Sequence, residues 1–313
     1  MAVTGTRTSR SDLLEPGRRW RNWGRVESAE PIYRARPTSV EEVSAVVLRA
    51  RELGLPVKAI GAGHSFTAIA AAPGVQLDLA GLDGLLDVDA ERRRITIGAG
   101  TNLYQLPALL APHGLAMENL GDIDRQTVAG AISTGTHGTG AKLRNISSQV
   151  VAMELVLADG SVRRLTAESD PELLRAARVS IGALGAICSV TLRCPPAFTL
   201  HRVDSPCPRE EVLDSFQQRA DEHEHFELFT FPYADSALVL ERNRTDGAPR
   251  PRGRAAAFLN DVVLENWALE AVSAAGKAMP RAIPSPWRRF GMRSGPRPRW
   301  PSKEPSTESS SLT

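Results

Sequence analysis

The sequence predicts an α+β protein of 313 residues in two domains. Three observations support this prediction. Short aliphatic runs alternate with helix-period segments between residues 38 and 193, a proline pair at 195–196 closes that block, and residues 226–231 then alternate aromatic and polar side chains. Alternating strands and helices indicate packed layers of both kinds, and the change in pattern after the prolines indicates a domain boundary.

The first firm element is a helix that starts after Ser39. Ser39 followed by Glu42 is typical of a capping box, and apolar residues at 43, 46, 47 and 50 form one face of a helix. Gly54 ends it. Pro56 then leads into a short strand, residues 57–60.

The remaining elements follow from the same signals. Strands are predicted at 76–79, 94–97, 150–157, 162–165, 186–192, 226–231 and 237–240, and helices after Thr101 or Asn102, at 128–132, from Pro171 and over 259–278. Asp159-Gly160 predicts a hairpin turn.

These elements divide the chain into four parts. Residues 1–26 are predicted to be an irregular segment, 27–197 a first domain, 198–283 a partial second domain and 284–313 a disordered, aberrant tail rich in Arg, Pro and Ser. The basic cluster at 18–21, with Trp23 and Arg25, is compatible with a phosphate-binding arm, although a solvated entry segment is the preferred interpretation.

Composition narrows the possible function. The net charge of +2 is too small to favour nucleic acid as a partner. Three cysteines without CxxC spacing argue against a disulfide framework and against a metal site. No apolar run of about eighteen residues predicts a membrane span. We therefore expect a cytoplasmic protein with no integral membrane segment and no bound metal.

Two glycine-rich loops are the candidate functional stretches. The first is Ile60-Gly61-Ala62-Gly63-His64-Ser65-Phe66, which begins at the last residue of the first predicted strand, and the second, residues 133–140, reads Ser-Thr-Gly-Thr-His-Gly-Thr-Gly. Glycine lets successive backbone N–H groups converge on an anion such as a pyrophosphate. The first loop is neither a Walker A motif nor a G-x-G-x-x-G fingerprint. A G-x-G alone is also common in tight turns.

His64 is poorly placed to be a packed core residue because two glycines precede it closely. It could act as a metal ligand, a general base or a nucleophile toward a cofactor. A metal would need more partners than His137, and no G-x-S-x-G pentad indicates a serine hydrolase. A nucleotide-type cofactor with a reactive ring fits both loops.

Three blocks of sequence resemble a known family. They are residues 61–66, residues 118–140 and Gly182-Ala183-Leu184-Gly185-Ala186-Ile187. In this order they are similar to the FAD-binding domain of the vanillyl-alcohol-oxidase-type flavoproteins, and within that group to the aldonolactone oxidases. The resemblance implies a two-subdomain FAD-binding domain over 27–197, followed by an incomplete α+β substrate domain.

The resemblance also implies roles for individual residues. His64 stands where the family often joins a histidine covalently to the flavin 8α-methyl, and Gly121 where a small residue admits O₂ to the flavin. The positions implied to contact FAD are Ile60, Gly61, Ala62, Gly63, His64, Ser65, Phe66, Gly121, Asp122, Thr127, Gly130, Ser133, Thr134, His137 and Ile187. A structural role is equally open for His137.

The implied reaction is oxidation of a sugar 1,4-lactone such as D-arabinono-1,4-lactone, by hydride transfer to flavin N5 with O₂ as acceptor, giving H₂O₂. The family carries a His-Trp-Gly-Lys motif near its C-terminus that this sequence lacks. We therefore expect a truncated chain whose catalytic residues are not assigned. The alternatives are a non-catalytic FAD-binding remnant and an alditol oxidase of the same fold.

Overall fold

The structure, a computed structural model, describes residues 13–230, 234–249, 267 and 269–279. These residues form two compact units. The first comprises residues 13–200 with 244–246, and the second the other described residues from 201 onward. The predicted tail, 284–313, and residues 259–266 of the last predicted helix lie outside the described ranges.

The first unit contains eleven strands and four helices among its described residues. Its strands are β1 Glu15–Pro16, β2 Trp20–Arg21, β3 Ser28–Ala29, β4 Tyr33–Ala35, β5 Val57–Ile60, β6 Val75–Asp78, β7 Leu85–Asp89, β8 Arg94–Gly98, β9 Val150–Val156, β10 Val162–Thr166 and β11 Ala186–Arg193. Its helices are α1 Val40–Glu52, α2 Leu106–Leu110, α3 Val128–Ser133 and α4 Pro171–Ala177. The mixture confirms the predicted α+β class.

Two larger sheets organise this unit. One has the order β1-β4-β6-β5, in which β4 and β5 both run parallel to β6. Helix α1 connects β4 to β5, which lie on opposite sides of β6, and residues 61–74 make the crossover from β5 to its parallel neighbour β6. The other sheet is antiparallel throughout, with the order β10-β9-β11-β8-β7. The predicted Asp159-Gly160 hairpin joins β9 to β10, with Gly160 at a φ of +81°.

Helix α1 forms where its local signals predict it. The Ser39 side chain accepts a hydrogen bond from the Glu42 N–H at 3.2 Å. The return bond of the predicted capping box comes from Thr38 and not from Ser39, because the Thr38 N–H donates to the Glu42 carboxylate at 2.7 Å. Such caps stabilise a helix by about 1 kcal/mol. The predicted apolar face at residues 43–50 is buried in the core of this unit, against β9 and β11.

The N-terminal segment differs from the prediction. Residues 13–26 include two short strands within otherwise irregular chain, because β1 pairs with β4 and β2 pairs with β3. The strands are only two residues long, too short to give a period-2 pattern in the sequence. Backbone pairing with residues farther along the chain orders them instead.

The second unit is built around a small three-stranded sheet in which β13 and β14 are antiparallel. In chain order its elements are β12 Thr199–Pro208, α5 Arg209–Asp214, α6 Phe216–Glu222, β13 His225–Thr230, β14 Ser236–Thr245 and α7 Leu269–Ala278. The sheet order is β12-β14-β13. A core of Val212, Phe226, Ala237 and Val239 underlies it, so the predicted aromatic strand and its partner do pair. None of the helices in the described ranges could span a membrane.

Candidate functional site

A cleft opens in the first unit at the end of β5. It contains about 760 Å³ of space, including its open mouth. Three segments form most of its lining, namely the glycine loop at residues 60–65, residues 126–134 around α3, and residues 181–187 leading into β11. The three sequence blocks that resemble a flavin-binding domain therefore meet at one place.

Gly61 allows the first two walls to approach closely. A Cβ atom at this position would lie 2.2 Å from the Thr127 Oγ1. Thr127 is fixed there as the N-cap of α3, because its Oγ1 accepts a hydrogen bond from the Gly130 N–H at 3.3 Å. Glycine at position 61 thus lets the loop lie directly against the start of α3.

The backbone of the glycine loop has free donors. The N–H groups from Ala62 to Ser65 donate no hydrogen bond to any residue that the structure describes. Gly63 has a φ of +70°, which only glycine adopts readily. Consecutive N–H groups around such a turn form a concave site for an anion. This wall of the cleft suits a phosphate or diphosphate group.

His64 lines the cleft and is half-buried. Its imidazole stacks on the indole of Trp23, with ring centroids 5.2 Å apart and an interplanar angle of 24°. Partial burial lowers the pKa of His64 below its ordinary value of 6.5, because the charged imidazolium is less well solvated there. The ring is therefore neutral at physiological pH and able to act as a nucleophile.

The third wall is a strap, residues 180–185, that is held by contacts to the other two. The N–H of Ile181 donates to the Ser133 carbonyl at 3.3 Å, and its own carbonyl accepts a bond from Lys58 Nζ at 3.0 Å. Ile181 has a φ of +57°, a conformation that costs a β-branched residue about 1–2 kcal/mol. These two bonds hold the strap in place despite that cost.

The strap leads into an irregular strand. Ile187 is 3% exposed and lines the cleft. The pairing of β11 with β9 shifts register between Ile187 and Ser189, and the carbonyl of the extra residue, Cys188, accepts a bond from the Ala99 N–H at 2.9 Å. Bulges of this kind re-aim neighbouring residues, often beside functional sites.

The hydroxyl groups at the cleft are not equally available. Thr127 Oγ1 caps α3, and Thr134 Oγ1 donates to the Gly130 carbonyl at 3.0 Å. The hydroxyls of Ser65 and Ser133 form no hydrogen bond with the described residues. These two serines are therefore the hydroxyls best able to bond a ligand.

Most of the residues predicted from the sequence lie around this cleft. Those that line it are Ile60, Gly61, Ala62, Gly63, His64, Ser65, Thr127, Gly130, Ser133, Thr134 and Ile187. Phe66, Gly121, Asp122 and His137 do not line it. Phe66 is 64% exposed and contacts Trp23 edge-on. Gly121 and His137 contact each other instead, since a Cβ at Gly121 would lie 3.1 Å from the His137 carbonyl.

Sequence reasoning missed several residues of the site. Lys58 is the only Lys or Arg among the described residues that line the cleft, and Gln126, Ile181 and Gly182 also line it. Lys58 could have been noticed because side chains two apart on a strand share a face, and Ile60 was already a candidate. The block at 182–187 includes part of the strap, but no local signal indicates its fixing contact from Lys58, which spans 123 residues of sequence.

Metal and thiol chemistry find no support in the described part of the chain. No group of three or more His, Cys, Asp or Glu side chains there could hold a metal ion. Burial raises the pKa of both Cys188 and Cys194 to about 12, so these thiols stay protonated and unreactive.

Two protein families match the sequence. Residues 31–166 match the FAD binding domain family, and residues 190–297 match the D-arabinono-1,4-lactone oxidase family. A relative from Mycobacterium tuberculosis, an L-gulono-1,4-lactone dehydrogenase, is 40% identical over 265 residues, which cover 85% of this chain and 61% of the relative. The L-gulonolactone oxidase of Bos taurus is 37% identical over 74% of this chain and 53% of its own length.

The match to each relative is partial. The D-arabinono-1,4-lactone oxidase of Eremothecium gossypii is 34% identical over 75% of this chain and 45% of its own length. The chain thus spans about half to three fifths of the curated relatives it matches. Among solved structures, a cholesterol oxidase from B. sterolicum is similar, with a TM-score of 0.76 and 17% identity, over 92% of this chain and 59% of that one. This similarity supports the fold alone.

The geometry of the cleft fits an FAD molecule. Free N–H groups and the Lys58 ammonium suit its diphosphate, and the His64 imidazole lines the same cleft. The FAD binding domain family covers the glycine loop and α3, and the lactone oxidase family covers β12 to β14. The family matches, the relatives and the cleft together make this chain similar to the FAD-dependent aldonolactone oxidoreductases, with an FAD binding domain match followed by a lactone oxidase match.

Proposed function

We propose that the chain holds FAD in this cleft and takes part in the oxidation of a sugar 1,4-lactone. The bound cofactor would accept hydride at flavin N5, and O₂ would then take the electrons and yield H₂O₂. The observation that carries the proposal is the wall of free N–H groups beside a neutral His64, in a chain that continues into a segment matching the lactone oxidase family. The carboxyl-terminal part of the family is the expected source of the base.

The glycine loop is proposed to bind the diphosphate, and Ser65 and Ser133 to donate hydrogen bonds to the cofactor. His64 is proposed to be its covalent tether. Joining an imidazole nitrogen to the flavin 8α-carbon removes one hydrogen from the methyl group and one from the imidazole. They leave as two protons together with two electrons, which reduce one O₂ to H₂O₂, so atoms and electrons balance.

The proposal of O₂ as electron acceptor rests on the sequence resemblance. Gly121, expected to admit O₂ to the flavin, does not line the cleft. Two of the relatives described are oxidases and one is a dehydrogenase. We also propose a cytoplasmic location on the basis of the cysteine spacing. The net charge is the basis for proposing no nucleic acid partner.

Attachment of the flavin should depend on pH through His64. Only the neutral imidazole has a free lone pair, and burial keeps its pKa below 6.5. We expect the rate of acid-stable flavin formation to be constant from about pH 7 to pH 8.5 and to fall with a slope approaching tenfold per pH unit below the lowered pKa. Stopping the reaction at timed intervals with acid and measuring protein-bound flavin checks this. An acid limb centred above pH 6.5 would contradict the assignment to His64.

The proposed reaction is tested by anaerobic titration of the FAD-loaded chain. D-Arabinono-1,4-lactone and L-gulono-1,4-lactone are added separately, and the visible flavin absorbance is followed. We expect bleaching by at least one lactone, and recovery with H₂O₂ formation when air is admitted. Recovery only with an added dye would make the chain a dehydrogenase.

A polyol, xylitol, is the control substrate in this titration. Bleaching by xylitol and by neither lactone would favour the alditol oxidase alternative. Bound FAD that none of the three compounds bleaches would overturn the enzymatic proposal for this chain and leave an FAD-binding remnant.

A further inference from the structure

Trp23 contacts the glycine loop in two ways. Its indole stacks on the His64 imidazole at 5.2 Å between centroids, and its backbone N–H donates to the Gly63 carbonyl at 2.8 Å. Stacked aromatic rings stabilise each other beyond the effect of the area that they bury. Ring and backbone thus hold two consecutive residues of the loop.

Asn22 fixes the position from which Trp23 makes these contacts. Asn22 is 2% exposed, and its Nδ2 donates to the Ser65 carbonyl at 2.9 Å. Its Oδ1 accepts from the N–H groups of Val26 and Glu27 at 3.0 and 3.1 Å. A buried amide with both ends satisfied is rigid. The turn at residues 22–27 and the glycine loop therefore form one unit.

The stack limits what the imidazole can do. An aromatic ring against one face of His64 opposes rotation about the bond that joins the imidazole to its Cβ, so the nitrogen atoms, which lie in the ring edge, keep one direction. The same packing removes water from that face. Both effects matter for a group that has to form a bond at one of its nitrogens.

We propose that Trp23 is a positioning residue for flavin attachment, holding the His64 imidazole in the orientation from which it is joined to the 8α-carbon. This inference rests on the proposed covalent link, whose atom and electron balance is given above with O₂ as the oxidant. Trp23 acts through His64.

The test compares Trp23→Ala, Trp23→Phe and the unchanged chain, each as apoprotein mixed with FAD. Trp267→Ala, which removes a tryptophan of similar exposure from the second unit (58% against 62%), is the matched control. Three quantities are measured: the rate of acid-stable flavin formation at saturating FAD, the Kd for non-covalent FAD, and the pKa of His64 by NMR of the apoprotein.

We expect Trp23→Ala to slow attachment by about tenfold, as for the loss of one aromatic contact. The His64 pKa should rise toward 6.5 while the Kd changes by less than about threefold, because the loop N–H groups remain. Trp23→Phe should restore most of the rate, and Trp267→Ala should match the unchanged chain.

Several results would overturn the inference. Trp23→Ala could attach flavin at the normal rate, or both Trp23 variants could lose non-covalent FAD, which would make the role structural. An unchanged chain that forms no acid-stable flavin would remove the covalent link itself, and with it the inference. If the unchanged chain forms acid-stable flavin and Trp23→Ala forms it at the same rate, the role of Trp23 is ruled out while the proposed covalent link stands.

Discussion

Replacing His64 by alanine is expected to abolish acid-stable flavin completely while FAD still binds non-covalently. The reason is that His64 supplies the only imidazole among the described residues that line the cleft, whereas the groups suited to the diphosphate are backbone N–H groups that the substitution leaves in place. The measurement is acid precipitation of the FAD-loaded protein, with flavin assayed in the pellet and in the supernatant, and the Kd taken from flavin fluorescence.

His137→Ala is the control for this prediction. His137 belongs to the second glycine-rich loop but does not line the cleft, and its Nδ1 lies 2.9 Å from the Gly138 carbonyl, to which it donates. This variant should keep all of its covalent flavin. Flavin that remains in the pellet of His64→Ala would show that another residue is the tether.

Gly61→Ala is expected to weaken FAD binding by about ten- to a hundredfold, as an overpacking cost of about 1–3 kcal/mol predicts. The added methyl group would meet Thr127 Oγ1 at 2.2 Å. Turning that side chain away breaks the cap of α3, and moving the loop displaces the N–H groups of the cleft. Gly61 does not have a positive φ, so the effect is steric.

A second substitution isolates the cause. Thr127→Ala removes the clashing Oγ1 and leaves the Thr127 Cβ as the nearest atom, at 3.4 Å, which is an ordinary contact. The double variant should therefore bind FAD more tightly than Gly61→Ala, although Thr127→Ala alone loses about 1 kcal/mol of cap stability. Equal affinities for the double variant and Gly61→Ala would count against the steric explanation.

Gly114→Ala controls for a general loss of stability. Its φ of +64° strains any larger residue, yet an added Cβ would meet no atom within 4 Å, and Gly114 does not line the cleft. This variant should lower Tm without changing the Kd for FAD. The comparison separates damage to the cleft from damage to the fold.

The parts of the fold that the sequence predicts are those with local causes. Ser39 begins α1 because its side chain bonds a backbone N–H three residues later, and the apolar positions that follow repeat with the helix itself. Asp159-Gly160 makes a hairpin because Gly160 alone has to take a positive φ. Each of these signals is contained in fewer than about ten residues.

The site was predictable to the extent that its walls are glycine loops. His64, Gly61 and Thr127 stand in recognisable blocks, whereas Asn22 reaches its partner across 43 residues and Lys58 reaches Ile181 across 123. Nothing in a short window of sequence encodes such pairs, because they exist only once the strands have paired. Gly121 and His137 do not line the cleft, and a glycine-rich loop alone does not reveal which way it faces, so their contact with the cofactor stays a prediction.

The contacts of the buried Asn22 show that the cofactor domain begins before the family match does. The FAD binding domain family matches from residue 31, but Trp20, Asn22 and Trp23, which support the glycine loop, all precede that point. A fragment cut at residue 31 would keep every motif of the family and lose the scaffold that shapes the first of them. The start of the family match at residue 31 therefore lies inside the structural unit that forms the cleft. Residues 20–23, which precede it, support the cleft as directly as the glycine loop does.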